Sequence, residues 1–419
     1  MADAAKSELD ELQSLQTLDD ADPLAAMRDR FLLPKNTVYM NGNSLGPLCR
    51  DAREKMSTVI DTEWGEELIR GWNTAGWYEM AGRLGDKIGK LIGAEPGQTV
   101  VSDSTSVNLF KVVAAAVALR PERSRIVTEA GNFPTDLYVL DGLIRHLGRD
   151  CSVDICQRDD VFDAIDEQTA VVVLTHVHYV SGAIFPMPEI NQRAHDVGAL
   201  VVWDLSHSVA AVATELDATG ADFAVGCGYK HLNGGPGAPA FTYAAGRHHL
   251  GMRQPLSGWF GHAEPFVFRD DFVPADGIRK MLCGTTPVLG ASALEASVDL
   301  LLQVDPVEMH AKSKNLSRIF QELIERHCDG LGLQLMSPGD AEQRGAHISY
   351  AHEHGYAVMQ NLIAKGVIGD FRAPNGMRFG FSPLVMRYTD LQIAVQTIRE
   401  ILDSRSYLDS AYQQKHAVT

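Results

Sequence analysis

The stretch GYKHLNGGPGAPAF, residues 228–241, sets a lysine directly after a tyrosine and before a run rich in glycine and proline. Lys230 suits neither a core nor an ordinary surface, but an amine held by a stiff turn suits covalent chemistry with a carbonyl. Upstream, Asp204 closes the apolar run ALVVWD, and His207 follows three residues later. A carboxylate at the end of a buried run needs a partner. Further upstream, Ser104, Thr105 and Ser106 precede the helical pattern SVNLFKVVAAAVAL. Hydroxyls and free N–H groups at a helix start either bind an anion or simply cap the helix. Read together, an amine, a carboxylate and an anion pocket are the three needs of pyridoxal phosphate: a Schiff-base lysine, a partner for the protonated ring nitrogen and a phosphate cradle. The alternative is a set of unrelated polar groups.

The elements that would position these groups are legible as a pattern. Between residues 100 and 245 short apolar runs alternate with helical stretches. The runs are RIVTEA (125–130), AVVVLTHVHY (170–179), ALVVWDLSHSV (199–209), DFAVGCGYK (222–230) and PAFTYAA (239–245). Helical patterns cover 106–120 and 187–198. Such alternation predicts an α/β fold with a mostly parallel sheet covered on both faces, and ligands then sit at the carboxyl ends of the strands. Residues 1–50 read as an N-terminal arm, 51–304 as a large domain and 305–419 as a smaller α+β domain. In the last, a helix is expected over 306–328, strands near 333–336, 346–350 and 377–382, and a helix over 389–403.

The whole chain sets limits. It has 419 residues, 45% of them apolar and 22% charged. That is enough for a large core without staples. A net charge of −17 disfavours nucleic acid, which needs a basic face. Six scattered cysteines form no CxxC pair and read as buried or half-buried free thiols, not a metal site. The acidic N-terminus has no apolar signal segment, and no run approaches a membrane span, so the expected location is the cytoplasm.

Several blocks carry a resemblance: YMNGNSLGPL, IRGWNTAGW, DSTSVNLFK, GNFPTDLYV, DLSHSVAAV, GYKHLNGGPGAPAF, GWFGH and GVIGDFRAPNGMRFGFSPL. Running from residue 39 to 384, they resemble the kynureninase family, in the class V aminotransferase branch of fold-type I pyridoxal-phosphate enzymes. The resemblance implies a seven-stranded sheet in the large domain and a homodimer with sites at the subunit interface. It implies hydrolysis of kynurenine or 3-hydroxykynurenine to anthranilate or 3-hydroxyanthranilate with alanine, within tryptophan catabolism or pyridine-nucleotide synthesis. By the same resemblance Lys230 would be the Schiff-base lysine. Tyr229 would contact phosphate and carry protons, Asp204 would pair with the ring nitrogen, and His207 would support the cofactor. Phe133 would stack on the ring, Asp136 would complete the cradle, and Thr105 and Ser106 would bind phosphate. Trp259 and Thr285 would come from the neighbouring subunit, and Arg378 would clamp the substrate carboxylate. The family varies at the GTTP stretch, 284–287, which bears on tolerance for a ring hydroxyl.

Other conspicuous residues have plainer readings. His176 and His178, on a predicted strand, read as core or cleft histidines facing one side. His352 and His354 in AHEHG read as a solvated turn. Trp64, Trp72, Trp77 and Trp203 read mainly as packing. Arg372 reads equally as a structural ion pair or a substrate contact. Competing activities on the same scaffold are transamination and cysteine desulfuration. The latter needs a mobile cysteine, and Cys328, inside a predicted helix, fits it poorly. A non-enzymatic cofactor-binding regulator finds no helix-turn-helix pattern or basic face.

Overall fold

The computed structural model describes residues 2–148 and 150–415. It divides into two compact units. One takes the described residues up to Arg50, then Val180–Ile184, then the chain from Val304 onward; the other takes Asp51–Tyr179 and Phe185–Gln303.

The larger unit is built on seven strands: β1 (Thr99–Ser102), β2 (Arg125–Glu129), β3 (Ser152–Cys156), β4 (Thr169–Thr175), β5 (Leu200–Asp204), β6 (Phe223–Gly226) and β7 (Ala240–Ala244). Their order across the sheet is β1-β7-β6-β5-β4-β2-β3. Only β7 runs antiparallel to its neighbours. The five apolar runs are strands, but each is trimmed; AVVVLTHVHY ends at Thr175, so His176 and His178 lie beyond the strand. β1 and β3 fall outside the expected runs. β3 mixes half-buried and exposed positions at the sheet edge and carries little hydrophobic signal. The central strands are buried along their length, because helices cover the sheet. Val112, Val113 and Ala116 of the Thr105–Ala118 helix join Val171, Val173, Val202 and Val225 in one core.

Ahead of β1 the chain is only partly helical. A helix Arg50–Thr58 passes into a π-turn at Val59–Trp64, and the next long helix is Met80–Leu91.

In the smaller unit the helices Pro306–His327 and Tyr388–Ser404 pack with a four-stranded antiparallel sheet, in the order Asp370–Arg372, Gly376–Gly380, His347–Ala351, Gln334–Leu335. Leu15, Val38 and Met40 of the arm belong to the same core, and Val38–Tyr39 pairs in parallel with Val367–Ile368. The AHEHG segment corrects the expectation of a solvated turn. His352 is buried, its ring packs on Tyr407, and its Nδ1 accepts from the His354 N–H at 3.1 Å. Among the described residues no helix is long and apolar enough to cross a membrane.

Candidate active site

The carboxyl edge of the large sheet gathers the predicted groups. Thr175 ends β4 and Asp204 ends β5, in register as neighbours. β6 stops at Gly226, and four residues later Lys230 stands on the turn that leads into β7. That turn is tight for identifiable reasons. Gly235 and Gly237 both have φ of +80°, a conformation that favours glycine. A Cβ at Gly228 would meet the Pro239 carbonyl at 2.4 Å.

One cavity is lined by Thr105, Ser106, Phe133, Asp136, Asp204, His207, Tyr229 and Lys230 together. These are eight of the eleven expected site residues. Lys230 Nζ lies 3.0 Å from His207 Nε2. It also stands 6.0 Å from the centre of the Phe133 ring. Asp204 and Asp136 are both buried. Asp204 Oδ1 accepts the Ser206 N–H at 2.7 Å. Burial raises the Asp204 carboxyl, opposed by its bonds from Ser206 and by the Lys230 charge. Burial and then the Asp204 charge push Asp136 well above the usual carboxylate range, and Thr175 and Lys230 only partly oppose this.

The Thr105–Ala118 helix is capped, and its first amides remain open to an anion. Ser104 caps it, its side chain accepting from the Val107 N–H at 3.4 Å. Helix geometry leaves the amides of Thr105 and Ser106 without an intrahelical carbonyl. Both residues also line a second cavity of about 530 Å³, which shares Thr105, Ser106 and Tyr229 with the first and has Thr285 in its wall.

The donor set fits pyridoxal phosphate. Two buried carboxyls in the cavity match a protonated ring nitrogen. The exposed face of Phe133 matches a flat ring, the helix start matches a phosphate, and Lys230 matches the aldehyde carbon.

Sequence reasoning missed Thr135, Thr175, Tyr179 and Ser206, which line the same cavity. The strand-end rule that found Asp204 also points to Thr175, its partner in register. Thr175 Oγ1 donates to Asn132 Oδ1 at 2.5 Å and stands 3.4 Å from Asp136 Oδ2. Tyr179 sits edge-on to Phe133, ring centres 5.2 Å apart. The other histidines stay out of this cavity. His176 is buried against Ser208 Oγ at 3.0 Å, and His178 bonds the Gly131 carbonyl at 2.9 Å.

Trp259 and Arg378 do not line the Lys230 cavity. Trp259 is 39% exposed and borders a separate cavity of about 360 Å³ with Phe268 and Phe272. Arg378 belongs to the smaller unit, where it is buried and grips Asp370 with two bonds, Nε to Oδ1 at 2.9 Å and Nη2 to Oδ2 at 2.5 Å. Ser44 Oγ accepts from Arg378 Nη2 at 2.7 Å, and Arg372 joins the same carboxylate at 2.9 Å. Arg372 is thus part of an ion pair. Cys328 is buried just past the end of the Pro306–His327 helix, and burial pushes its thiol up to about 11.

The comparisons with known proteins bear on the family and the fold. Residues 309–398 match a family model described as the kynureninase C-terminal domain. Among solved structures, an apo cysteine desulfurase from Thermococcus onnurineus NA1 superposes with a TM-score of 0.77 at 17% identity, covering 90% of this chain and 98% of that one. A C-DES mutant with glycine covalently linked to its PLP cofactor gives 0.77 at 13% identity, covering 88% and 98%. At such identities these two establish the fold alone. Curated proteins named kynureninase come much nearer in sequence. That of Burkholderia pseudomallei (strain 1106a) is 46% identical over 407 residues, and that of Pseudomonas fluorescens 44%, each alignment covering 96% of this chain and 98% of the relative. With identity of that order along nearly the full length of both partners, and with the lysine, carboxylates and helix start assembled at one sheet edge, the chain belongs to the kynureninase family.

Proposed function

We propose that this chain hydrolyses the Cβ–Cγ bond of L-kynurenine, giving anthranilate and L-alanine, with pyridoxal 5′-phosphate as cofactor. One observation carries the reading: Lys230, Asp204, Asp136 and His207 converge in one cavity of a chain 46% identical to a curated kynureninase. When bound, the cofactor supplies an electron sink for negative charge at the substrate's α- and β-carbons. The chain's own groups do the rest. Asp204 holds the proton of the ring nitrogen, and its burial strengthens that grip. Asp136, buried beside it and raised by burial and by the Asp204 charge, stands as a second carboxyl at the same end of the cavity. Thr105 and Ser106 hold the phosphate through their amides, and Phe133 covers one ring face. Lys230 Nζ takes the proton from the substrate α-carbon. Tyr229 stands at the border of both cavities, where its phenol oxygen can pass a proton to the carbon released by cleavage.

Arg378 is assigned to the substrate carboxylate, with Asp370 and Ser44 fixing the plane of its guanidinium. Trp259 is assigned to the partner's site in a homodimer; Thr285, expected there too, walls the second cavity of its own chain. The apolar surface around Trp259 supports that assembly. There Phe266, Val267 and Phe268 are 59%, 57% and 76% exposed. We place the enzyme in the cytoplasm, and in kynurenine breakdown on its substrate. Cysteine desulfuration is disfavoured, because the buried Cys328 thiol, raised to about 11, is no nucleophile at neutral pH.

The test is turnover of L-kynurenine by the cofactor-loaded protein, with anthranilate and alanine measured in equal amounts. Absence of both products sinks the reading. Borohydride should fix the cofactor on Lys230, and a label on any other lysine removes Lys230 from its role. Comparing kcat/KM on kynurenine and 3-hydroxykynurenine then settles the ring preference.

A further inference from the structure

A buried ammonium lies behind the phosphate-side cavity. Lys111, on the second turn of the Thr105–Ala118 helix, has no exposed surface. Its Nζ meets three acceptors: Ser102 Oγ at 3.2 Å, Asp103 Oδ2 at 2.7 Å and the Met281 carbonyl at 2.7 Å. An ammonium has three protons, so those three acceptors saturate it. Two of the partners are neighbours in the cavity wall, and the third lies just before a separate wall segment. Ser102 is the last residue of β1, and Asp103 is the single residue between that strand and the helix cap Ser104. Met281 ends the short helix Gly277–Met281, just before Leu282 and the Gly284–Pro287 segment that also lines the cavity.

Asp103 has φ of +49°, a conformation that a side chain disfavours. That twist turns the chain from the strand into the helix and sets the direction of the Thr105 and Ser106 amides. Asn108, one turn before Lys111, reinforces it by donating from Nδ2 to the Ser102 carbonyl at 2.7 Å. The Asp103–Lys111 pair is itself neutral, so Lys111 acts by geometry and adds no net charge to the cavity.

We infer that Lys111 is a positioning residue for the cofactor phosphate: its ammonium locks the Asp103 twist and ties the helix start to the Met281 side of the cavity, fixing the phosphate cradle before the phosphate arrives. The inference rests on the pyridoxal-phosphate reading of the cavity and not on the substrate.

The experiment titrates full-length apoprotein with pyridoxal 5′-phosphate, following bound cofactor by absorbance and its phosphate by ³¹P NMR. Wild type, Lys111→Met, Lys111→Arg and Asp103→Asn are compared. Asparagine tolerates positive φ, so Asp103→Asn removes the charge and keeps the turn accessible. Lys111→Met should weaken cofactor binding by roughly 10- to 100-fold, as loss of a charged hydrogen-bond network does. Asp103→Asn should weaken it similarly, Lys111→Arg less, and the bound phosphate resonance should move while apoprotein circular dichroism stays native. A Lys111→Met affinity within twofold of wild type overturns the inference. So does an unmoved phosphate resonance with apo and holo forms equally destabilised. If Lys111→Met does not fold, Asp103→Asn decides alone: native affinity overturns the inference and weakened affinity with a shifted resonance upholds it. Wild-type protein that binds no cofactor at all sinks the cofactor reading, and this inference with it.

Discussion

Arg378 reads in sequence as a guanidinium awaiting a carboxylate, yet in the fold one carboxylate is already there. Asp370 is bound by Arg378 and Arg372 and by the Ser44 hydroxyl at 2.5 Å. Burial alone would raise its proton affinity; the charge and bonds of Arg378, then Arg372 and Ser44, reverse this and hold it below the usual range. Removing Arg378 therefore does two separable things. Arg378→Ala leaves a buried carboxylate poorly compensated and should lower unfolding stability by about 3–5 kcal/mol. It should also raise KM for kynurenine, if the assignment to the substrate holds. Arg372 is about one-third exposed, so Arg372→Ala should cost less than about 1 kcal/mol. Denaturant melts beside kinetics separate the two effects: lost stability with an unchanged KM would make Arg378 purely structural. Asp204 is the opposite case: its place in the cavity was legible, because a strand-end carboxylate has so few good reasons to be buried. Asp204→Asn should lower kcat by about 10²-fold or more through lost stabilisation of developing charge, and shift the visible band of the bound cofactor. Normal turnover by that variant would remove Asp204 from the ring nitrogen.

At the scale of elements, one carboxylate joins several pieces of the large unit. Asp222 immediately precedes β6 and is buried. It accepts from Val201 N–H on β5 at 2.9 Å and from Arg247 just after β7 at 2.7 Å; His195 of the Met187–Asp196 helix and His248 approach at 2.9 and 2.7 Å. Burial alone would raise Asp222, but bonds from His195 and His248 outweigh it and hold the carboxyl far below the usual range. A depressed folded pKa gives stability that is present above the unfolded value, about 4, and lost as pH falls through the folded one. Asp222→Asn should therefore be clearly less stable than wild type at neutral pH, and the gap should narrow below about pH 4. Urea melts across that range check it, and a gap independent of pH refutes the charge argument. This hub also marks where sequence reading stops. The buried runs of β2, β4, β5, β6 and β7 were legible because strands covered on both faces are written as continuous apolar stretches. β1 has only two apolar residues, Val100 and Val101, between polar neighbours, β3 is too polar, and the direction of β7 lies in the tight turn after Lys230, which leaves no room for a crossover helix. Ties such as Lys111 to Met281 join residues far apart in sequence, and no local pattern records them.

The whole molecule leaves a surface unexplained by a single chain. Trp259, Phe266, Phe268 and Phe272 are exposed on one stretch, 256–273, and Trp64 and Leu289 flank another apolar hollow. Patches of this kind on an enzyme's surface mark interfaces. A twofold dimer buries the same surface on both copies and makes each contribution to the neighbour's site reciprocal. Light scattering should then give twice the chain mass of 45.7 kDa, and Phe268→Asp should shift the protein towards monomer with loss of activity. Reciprocity allows a sharper test. Lys230→Ala should abolish turnover, because no amine replaces Nζ, and Trp259→Ala should impair it if Trp259 serves the partner's cofactor. In an equal mixture of the two variants, unfolded and refolded together, half of the dimers are mixed. If Trp259 crosses to the partner's site, each mixed dimer has one site lacking both groups and one site with native Lys230 from one copy and native Trp259 from the other. Activity should then recover to about one-quarter of wild type, the share of intact sites that random pairing gives under twofold symmetry. If Trp259 serves the site of its own chain, every site in the mixed dimer lacks one group or the other. The mixture then shows no gain over the average of the two variants measured alone, and the interface assignment of Trp259 fails.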